Sequence, residues 1–260
     1  MNENDFDSFA EYYNLLFPEG WKKASKKIAD RIDHILKNWK NPIYSILDCG
    51  CGTGIPAIHL ASKGYKLVGI DISNEMLNIA RRNSQYNENL KLIELNWNDL
   101  NTLEEEFRFD AIICRGSTIN FCKSQKEFHK LIDSFRSIIR NGGILYIQTL
   151  NCEDIIRNKI KFSIITEKEP ISVNKNKIII FYIYHYNKNF QGKIQCYRVF
   201  IIHGIEKIEV KLFPCTILPF MRSKLLNIIQ KAGFKATYIS SVGGTINSKE
   251  ERLELTFEAI

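Results

Sequence analysis

The sequence predicts an α/β protein built on a doubly wound, largely parallel sheet. Three observations carry this. Strand-like and helix-like stretches alternate five times between residues 45 and 150. A glycine-rich run, Asp48-Cys49-Gly50-Cys51-Gly52-Thr53-Gly54, follows the first strand stretch directly. A carboxylate, Asp71, closes the second. In such sheets ligands sit outside the carboxyl ends of the strands, so the residues after each strand are the candidates for chemistry.

The elements follow in order. Trp21, Ile28, Ile32, Ile35, Leu36 and Trp39 recur at helical spacing, and Pro42 ends that stretch. Ser45-Ile46-Leu47 is a short apolar run and reads as the first strand. After the glycine loop a helix carries Ile58, Leu60 and Ala61 and closes at Gly64. Residues 66–70 form the second strand, and Ser73 is placed to cap a helix bearing Met76, Leu77, Ile79 and Ala80. The third and fourth strands are expected at 90–95 and 109–114. A helix through Phe128, Leu131, Ile132, Phe135, Ile138 and Ile139 follows, and Asn141-Gly142-Gly143 turns the chain into a fifth strand at 144–149.

The rhythm then changes. Residues 177–186, 193–203 and 206–213 are β-rich, with turns expected at Asn187-Lys188-Asn189 and His203-Gly204, which reads as an antiparallel insertion after the fifth strand. A helix near 219–232 and strands at 234–240 and 253–259 bring the sheet to seven strands. The expected division is a helical cap segment at 1–43, a core at 44–150, the insertion at 151–216, and a closing helix and strand pair at 217–260. The insertion is a candidate lid or subunit contact, which leaves a homo-oligomer open.

Composition narrows the class. The chain has 260 residues, 45% hydrophobic and 25% charged, as a globular domain does. No apolar run approaches the roughly 20 residues that span a bilayer. The opening residues are acidic and lack an apolar stretch, so no secretory leader is expected and the cytoplasm is the expected location. Seven cysteines without paired spacing argue against a disulfide framework, and Cys49 and Cys51 alone make a poor metal site, so no metal is expected. The net charge of +7 is spread along the chain and forms no compact basic cluster, which speaks against a nucleic-acid partner.

The glycine loop can let backbone N–H groups approach a polar ligand, and Asp71 can accept hydrogen bonds from ribose hydroxyls. Both features also suit a nicotinamide enzyme. The dinucleotide fingerprint, however, needs its third glycine at the position of Ile55, whereas this chain has Gly54. The spacing Asp-X-Gly-X-Gly-X-Gly resembles the first motif of class I S-adenosylmethionine-dependent methyltransferases, which have a Rossmann-like fold. The resemblance covers 45–150 and implies S-adenosylmethionine as cofactor. It implies that Asp48, Gly50, Cys51, Gly52 and Gly54 form the donor loop, that Asp71 holds the ribose, and that Ile72 and Met76 flank the adenine.

A narrower resemblance rests on Asn96-Trp97 after the third strand, Phe109 to Cys114 at the fourth, Gly142 to Ile147 leading to Asn151, and Phe213-Pro214-Cys215-Thr216. Together they are similar to the glycine and sarcosine N-methyltransferases. The similarity implies that Asn96 and Trp97 contact the adenine, with Asn98 and Cys114 beside them. It also implies an acceptor that is a small molecule, with an amine nitrogen ahead of oxygen, carbon or RNA. Two departures bear on the acceptor. Leu150 stands where glycine-methylating members carry a substrate-binding Arg, and Ser117 stands where they carry Asn.

Arg115, in the loop after the fourth strand, can hold a carboxylate of either substrate or donor. Phe9, Tyr12 and Tyr13 resemble the aromatic N-terminal segment that closes over donor and acceptor in related enzymes. Tyr12, Tyr13 and Arg115 are thus the candidate catalytic residues, and Lys23 is a further candidate for the donor carboxylate. His185 and His203, on the insertion, are the histidines placed to reach a substrate. Alternation along 177–203 sends half of Phe181, Tyr182, Tyr184, Tyr186 and Tyr197 inward, without saying which half. No Cys nucleophile motif of cytosine C5 methylation is present, nor is the Asp/Asn-Pro-Pro-Tyr run of adenine-N6 methylation.

Overall fold

A computed structural model describes residues 3–17, 19–103, 108–164, 171–173, 176–186, 192–204, 207–243 and 251–260. The turn expected at Asn187-Lys188-Asn189 and the start of the run at Glu206 lie outside the described residues.

The strands of the main sheet are β1 (Ser45–Cys49), β2 (Lys66–Asp71), β3 (Leu90–Glu94), β4 (Phe109–Cys114), β5 (Ile139–Leu150), β11 (Phe234–Gly243) and β12 (Glu251–Ala259). Their order across the sheet is β11-β12-β5-β4-β1-β2-β3. β1 to β5 run parallel, and β12 is antiparallel to both β5 and β11. This is the seven-stranded, doubly wound sheet expected from the alternation. All six residues of β4 are buried, as a central strand covered on both faces requires.

Successive strand residues feed two separate cores. Leu47, Ile112, Leu145, Ile147 and Phe257 pack against α5 (Gln125–Ile138) and α7 (Arg222–Lys231) on one face. Ile46, Ala111, Ile113 and Tyr146 pack against α2 (Trp21–Lys37) and α3 (Ala57–Ser62) on the other. Helix starts are capped as the residue types imply. Ser73 Oγ accepts from Met76 N at 3.1 Å at the head of α4 (Asn74–Ser84), and Ser124 Oγ accepts from Glu127 N at 3.1 Å at the head of α5.

Several boundaries differ from expectation, by a few residues at α7, β11, β12 and the last strand of the insertion and more at the following places. Ile139 belongs to β5 and not to the preceding helix, because β5 begins pairing with β4 at Phe109 before a register shift. The Asn141-Gly142-Gly143 run therefore lies inside the strand as an irregularity. A Cβ on Gly143 would stand 2.8 Å from the Asp110 carbonyl oxygen, so only glycine fits there. The aromatic N-terminal run, expected ahead of the first helix, forms a helix of its own, α1 (Glu3–Tyr13).

The insertion is a second sheet. It contains β6 (Phe162–Ile164), β7 (Ile171–Val173), β8 (Asn176–His185), β9 (Ile194–His203) and β10 (Ile208–Ile217), ordered β10-β9-β8-β6 with β7 also paired to β8. α6 (Cys152–Arg157) leads from β5 into it. β10 runs through Phe213-Pro214-Cys215-Thr216 as far as Ile217. An edge strand can carry Pro214 because one of its sides has no ladder to complete.

Candidate functional site

The carboxyl ends of β1 to β5, α1, and the inner face of the second sheet enclose a cavity of about 360 Å³. That size suits a small-molecule site. Of the residues singled out in the sequence, Tyr13, Gly50, Gly52, Asp71, Ile72, Met76, Asn96, Trp97 and Arg115 line it. Asp48, Cys51, Gly54, Asn98, Cys114, Tyr12 and Lys23 do not.

The floor is the glycine loop. Gly50 has φ +77°, and a Cβ there would come within 2.5 Å of Thr118 Cγ2, in the loop after β4. Glycine thus lets the first and fourth strand loops meet. Asp71 accepts from backbone amides, among them Gly52 N to Oδ2 at 2.8 Å and Ser73 N to Oδ1 at 3.0 Å. Burial pushes its carboxyl above the ordinary range, and these amides pull the other way. Each carboxylate oxygen can accept again, which leaves room for ligand hydroxyls.

Behind this loop Asp48 is fully buried, and neither carboxylate oxygen finds a hydrogen-bond partner among the described residues. Its carboxyl is pushed up to about 7, chiefly by burial and further by the charge of Asp71, with Arg115 opposing. At the other end of the cavity Asn96 caps its own turn by accepting from Asn98 N at 2.9 Å. Trp97 Nε1 donates to Glu127 Oε1 at 3.1 Å, and Asn98 Nδ2 donates to the same oxygen at 3.1 Å. The first of these bonds holds the indole by its edge. Asn98 itself is exposed, and Cys114 is buried in the core beneath the sheet.

The roof is α1. Ser73 Oγ donates to Asp7 Oδ1 at 2.5 Å, and Thr53 Oγ1 donates to Asn14 Oδ1 at 2.7 Å. These bonds tie the N-terminal segment onto the β2 and glycine loops. The Tyr13 ring lies 3.8 Å from where a Gly52 Cβ would sit, and its hydroxyl lies 3.7 Å from a Cβ on Gly116. Tyr13 therefore spans the two loops. Burial raises its phenol pKa, so the hydroxyl stays protonated at neutral pH. Tyr12 points the other way, with its ring 5.4 Å from Phe200 and 5.0 Å from Phe213.

Arg115 is 8% exposed and donates to the Ile55 carbonyl at 3.3 Å and to Gln148 Oε1 at 3.4 Å. Leu150 is buried beneath the insertion with Cys152, Ile155 and Tyr184, outside the cavity. Ser117 has a left-handed backbone, and its hydroxyl accepts from Arg252 Nη1 at 3.1 Å. Lys23 is exposed, whereas Lys27 and Arg31, one and two turns further along α2, line the cavity. His185 and His203 are exposed on the insertion and do not line it. The register settles the aromatic alternation. Tyr182 shares the inward face with Arg198 and lines the cavity, while Tyr184 is buried deeper on that face.

Several lining residues were not foreseen. Arg252 and Glu254 come from β12, Arg31 from α2, Phe121 from the turn after β4, and Arg198 from β9. Glu254 is 2% exposed, accepts from Tyr146 Oη at 3.0 Å and Gln148 Nε2 at 3.2 Å, and pairs with Arg31. One signal was available: Arg198 interrupts the apolar face formed by Ile194, Cys196, Phe200 and Ile202.

Residues 46–143 match the family described as a methyltransferase domain. The chain is 32% identical to a glycine N-methyltransferase of Mus musculus over 127 residues, 44% of this chain and 42% of that protein. It is 29% identical to a glycine/sarcosine N-methyltransferase of Halorhodospira halochloris over 155 residues, 59% of this chain and 56% of that one. The chain thus spans about half the length of these relatives. Its fold is that of a solved S-adenosylmethionine-dependent methyltransferase from Clostridium acetobutylicum, with TM-score 0.71 and 15% identity over 90% of this chain and 91% of that one. The seven-stranded sheet and its β insertion thus share the fold of that solved structure.

Proposed function

We propose that the protein is an S-adenosylmethionine-dependent methyltransferase acting on a small molecule, with an amine nitrogen as the methyl acceptor. The observation that carries this is the Asp71 carboxylate, anchored by Gly52 N at 2.8 Å at the edge of a cavity that Trp97 also borders. The bare Gly50 and Gly52 backbone and this carboxylate fit a ribose joined to an amino-acid chain. Trp97 and Ile72 provide apolar faces for a purine.

S-adenosylmethionine, when bound, supplies an electrophilic methyl group on a sulfonium. Asp71 accepts from the ribose hydroxyls. Ile72, Met76, Asn96 and Trp97 border the adenine. Arg115 serves the amino-acid end. Tyr13 spans the cavity between Gly52 and Gly116, where it would flank a bound donor. Its protonated hydroxyl orients the acceptor and does not take its proton. Alignment of the two reactants can contribute roughly 7–11 kcal/mol at best, so the chain needs no covalent nucleophile. The acceptor amine must be neutral to attack, and its proton can leave to water.

The test is calorimetry with S-adenosylmethionine and S-adenosylhomocysteine, followed by an amine screen read as S-adenosylhomocysteine release. Absence of binding, with Asp71→Ala indistinguishable from wild type, removes the donor assignment. Methyl label recovered on oxygen or carbon removes the amine assignment alone.

A further inference from the structure

β9 carries a charge where its pattern calls for an apolar side chain. Arg198 shares the inner face of the second sheet with Ile194, Cys196 and Phe200, flanked in register by Tyr182 on β8 and Phe213 on β10. It is only 7% exposed and lines the cavity. Its guanidinium carbon lies 4.4 Å from the Phe9 ring centroid and 5.6 Å from that of Phe121. Among the described residues no carboxylate pairs with it, and its enclosed Nη1 has no hydrogen-bond partner. The other buried cavity arginine, Arg115, has carbonyl partners, and Arg31 has Glu254.

A guanidinium does not shed its charge at any ordinary pH. Buried without an anionic partner it is costly to keep, and a bound oxyanion removes that cost. The Phe9 and Phe121 rings attract the cation through their faces but accept none of its N–H hydrogen bonds in the ordinary sense, so the enclosed Nη1 is left for a ligand. The N–H edge of a guanidinium matches a planar pair of oxygens. Of the cavity's carboxylates, Asp71, Glu127 and Glu254 accept from other groups, Gly52 N, Trp97 Nε1 and Tyr146 Oη, and none of these three is paired with Arg198.

We infer that Arg198 is an oxyanion-binding residue for the acceptor, so that the acceptor carries a carboxylate or phosphate group and is held from the β insertion. The end of β5, where Leu150 lies buried, takes no part in holding it. This rests on the methyltransferase reading only in naming the ligand as acceptor. The site itself stands on the geometry of Arg198.

The experiment is a calorimetric titration of acetate and of inorganic phosphate into protein saturated with S-adenosylhomocysteine. Wild type, Arg198→Gln, Arg198→Met and Arg198→Lys are compared. One anion binds wild type saturably and the Gln and Met variants at least tenfold more weakly, with Lys intermediate. Affinity for S-adenosylhomocysteine changes less than threefold. The anion that binds separates carboxylate from phosphate. The Gln and Met variants lose an unpaired buried charge, so they fold with unchanged or higher melting temperature. Binding of neither anion, equal binding to all four proteins, or a tenfold loss of S-adenosylhomocysteine affinity in the variants overturns the inference. If wild type fails to bind S-adenosylhomocysteine, the methyltransferase reading falls. The same anion titration on the free protein then judges Arg198 by itself.

Discussion

Replacing Asp48 by asparagine changes how stability depends on pH. Asp48 sits on β1, opposite Gly69 and Ile113 in the parallel ladder, with 0% exposure and no hydrogen-bond partner on either oxygen among the described residues. Its carboxyl is pushed from the ordinary 3.8 up to about 7, chiefly by burial. The native state therefore holds a proton that the unfolded chain releases. A raised carboxyl pKa makes stability fall as pH rises through the interval between the two values, about 4 to about 7, and level off above it. Each pKa unit corresponds to about 1.4 kcal/mol. From pH 5 to pH 8 the loss on this account is about 2.5 kcal/mol, part of the full shift having been spent below pH 5. The substituted amide has nothing to ionise and lacks this slope. Urea unfolding of both proteins at pH 5 and pH 8 measures it. The stability of Asp48→Asn relative to wild type rises by about 2.5 kcal/mol across that interval, or roughly 5–10 °C in Tm for a chain of this size. An unchanged difference at the two pH values refutes the assignment of an unpaired, protonated Asp48.

Other perturbations follow from the same geometry. Asp71→Ala removes a charged acceptor at about 1.5–3 kcal/mol and raises the Kd for S-adenosylhomocysteine by roughly ten- to 150-fold in calorimetry, with the fold intact by circular dichroism. Gly50→Ala forces a Cβ within 2.5 Å of Thr118 Cγ2 at φ +77°, and costs about 2 kcal/mol or more in urea unfolding. Trp97→Phe gives up the Nε1 bond to Glu127 and costs about 1 kcal/mol of stability, while, on the proposed adenine contact, the retained ring keeps donor affinity within threefold. Tyr13→Phe keeps donor affinity but lowers kcat. Because burial raises the phenol pKa, the wild-type rate profile shows no inflection from Tyr13 between pH 6 and 9.

Elements whose signals are local are legible in the residues alone. β4 reads as a central strand because its run is almost wholly apolar. The glycine loop and Asp71 are legible because a parallel sheet places every loop after a strand at the same edge. The Ser73 cap is visible in its residue type. Alternation said that half the insertion aromatics turn inward, but choosing Tyr182 over Phe181 needed the register with Arg198. Tertiary structure alone decided which cations meet in the cavity. Arg31, Arg115, Arg198 and Arg252 arrive from α2, the β4 loop, β9 and β12, with no spacing between them to read. It also decided that Lys23, one turn before Lys27, faces away, and that Tyr12 packs on Phe200 while its neighbour Tyr13 lines the cavity. Helix phase and long-range register choose between adjacent side chains of the same type. Those quantities depend on how elements far apart in sequence pack, and neighbouring residues do not encode them.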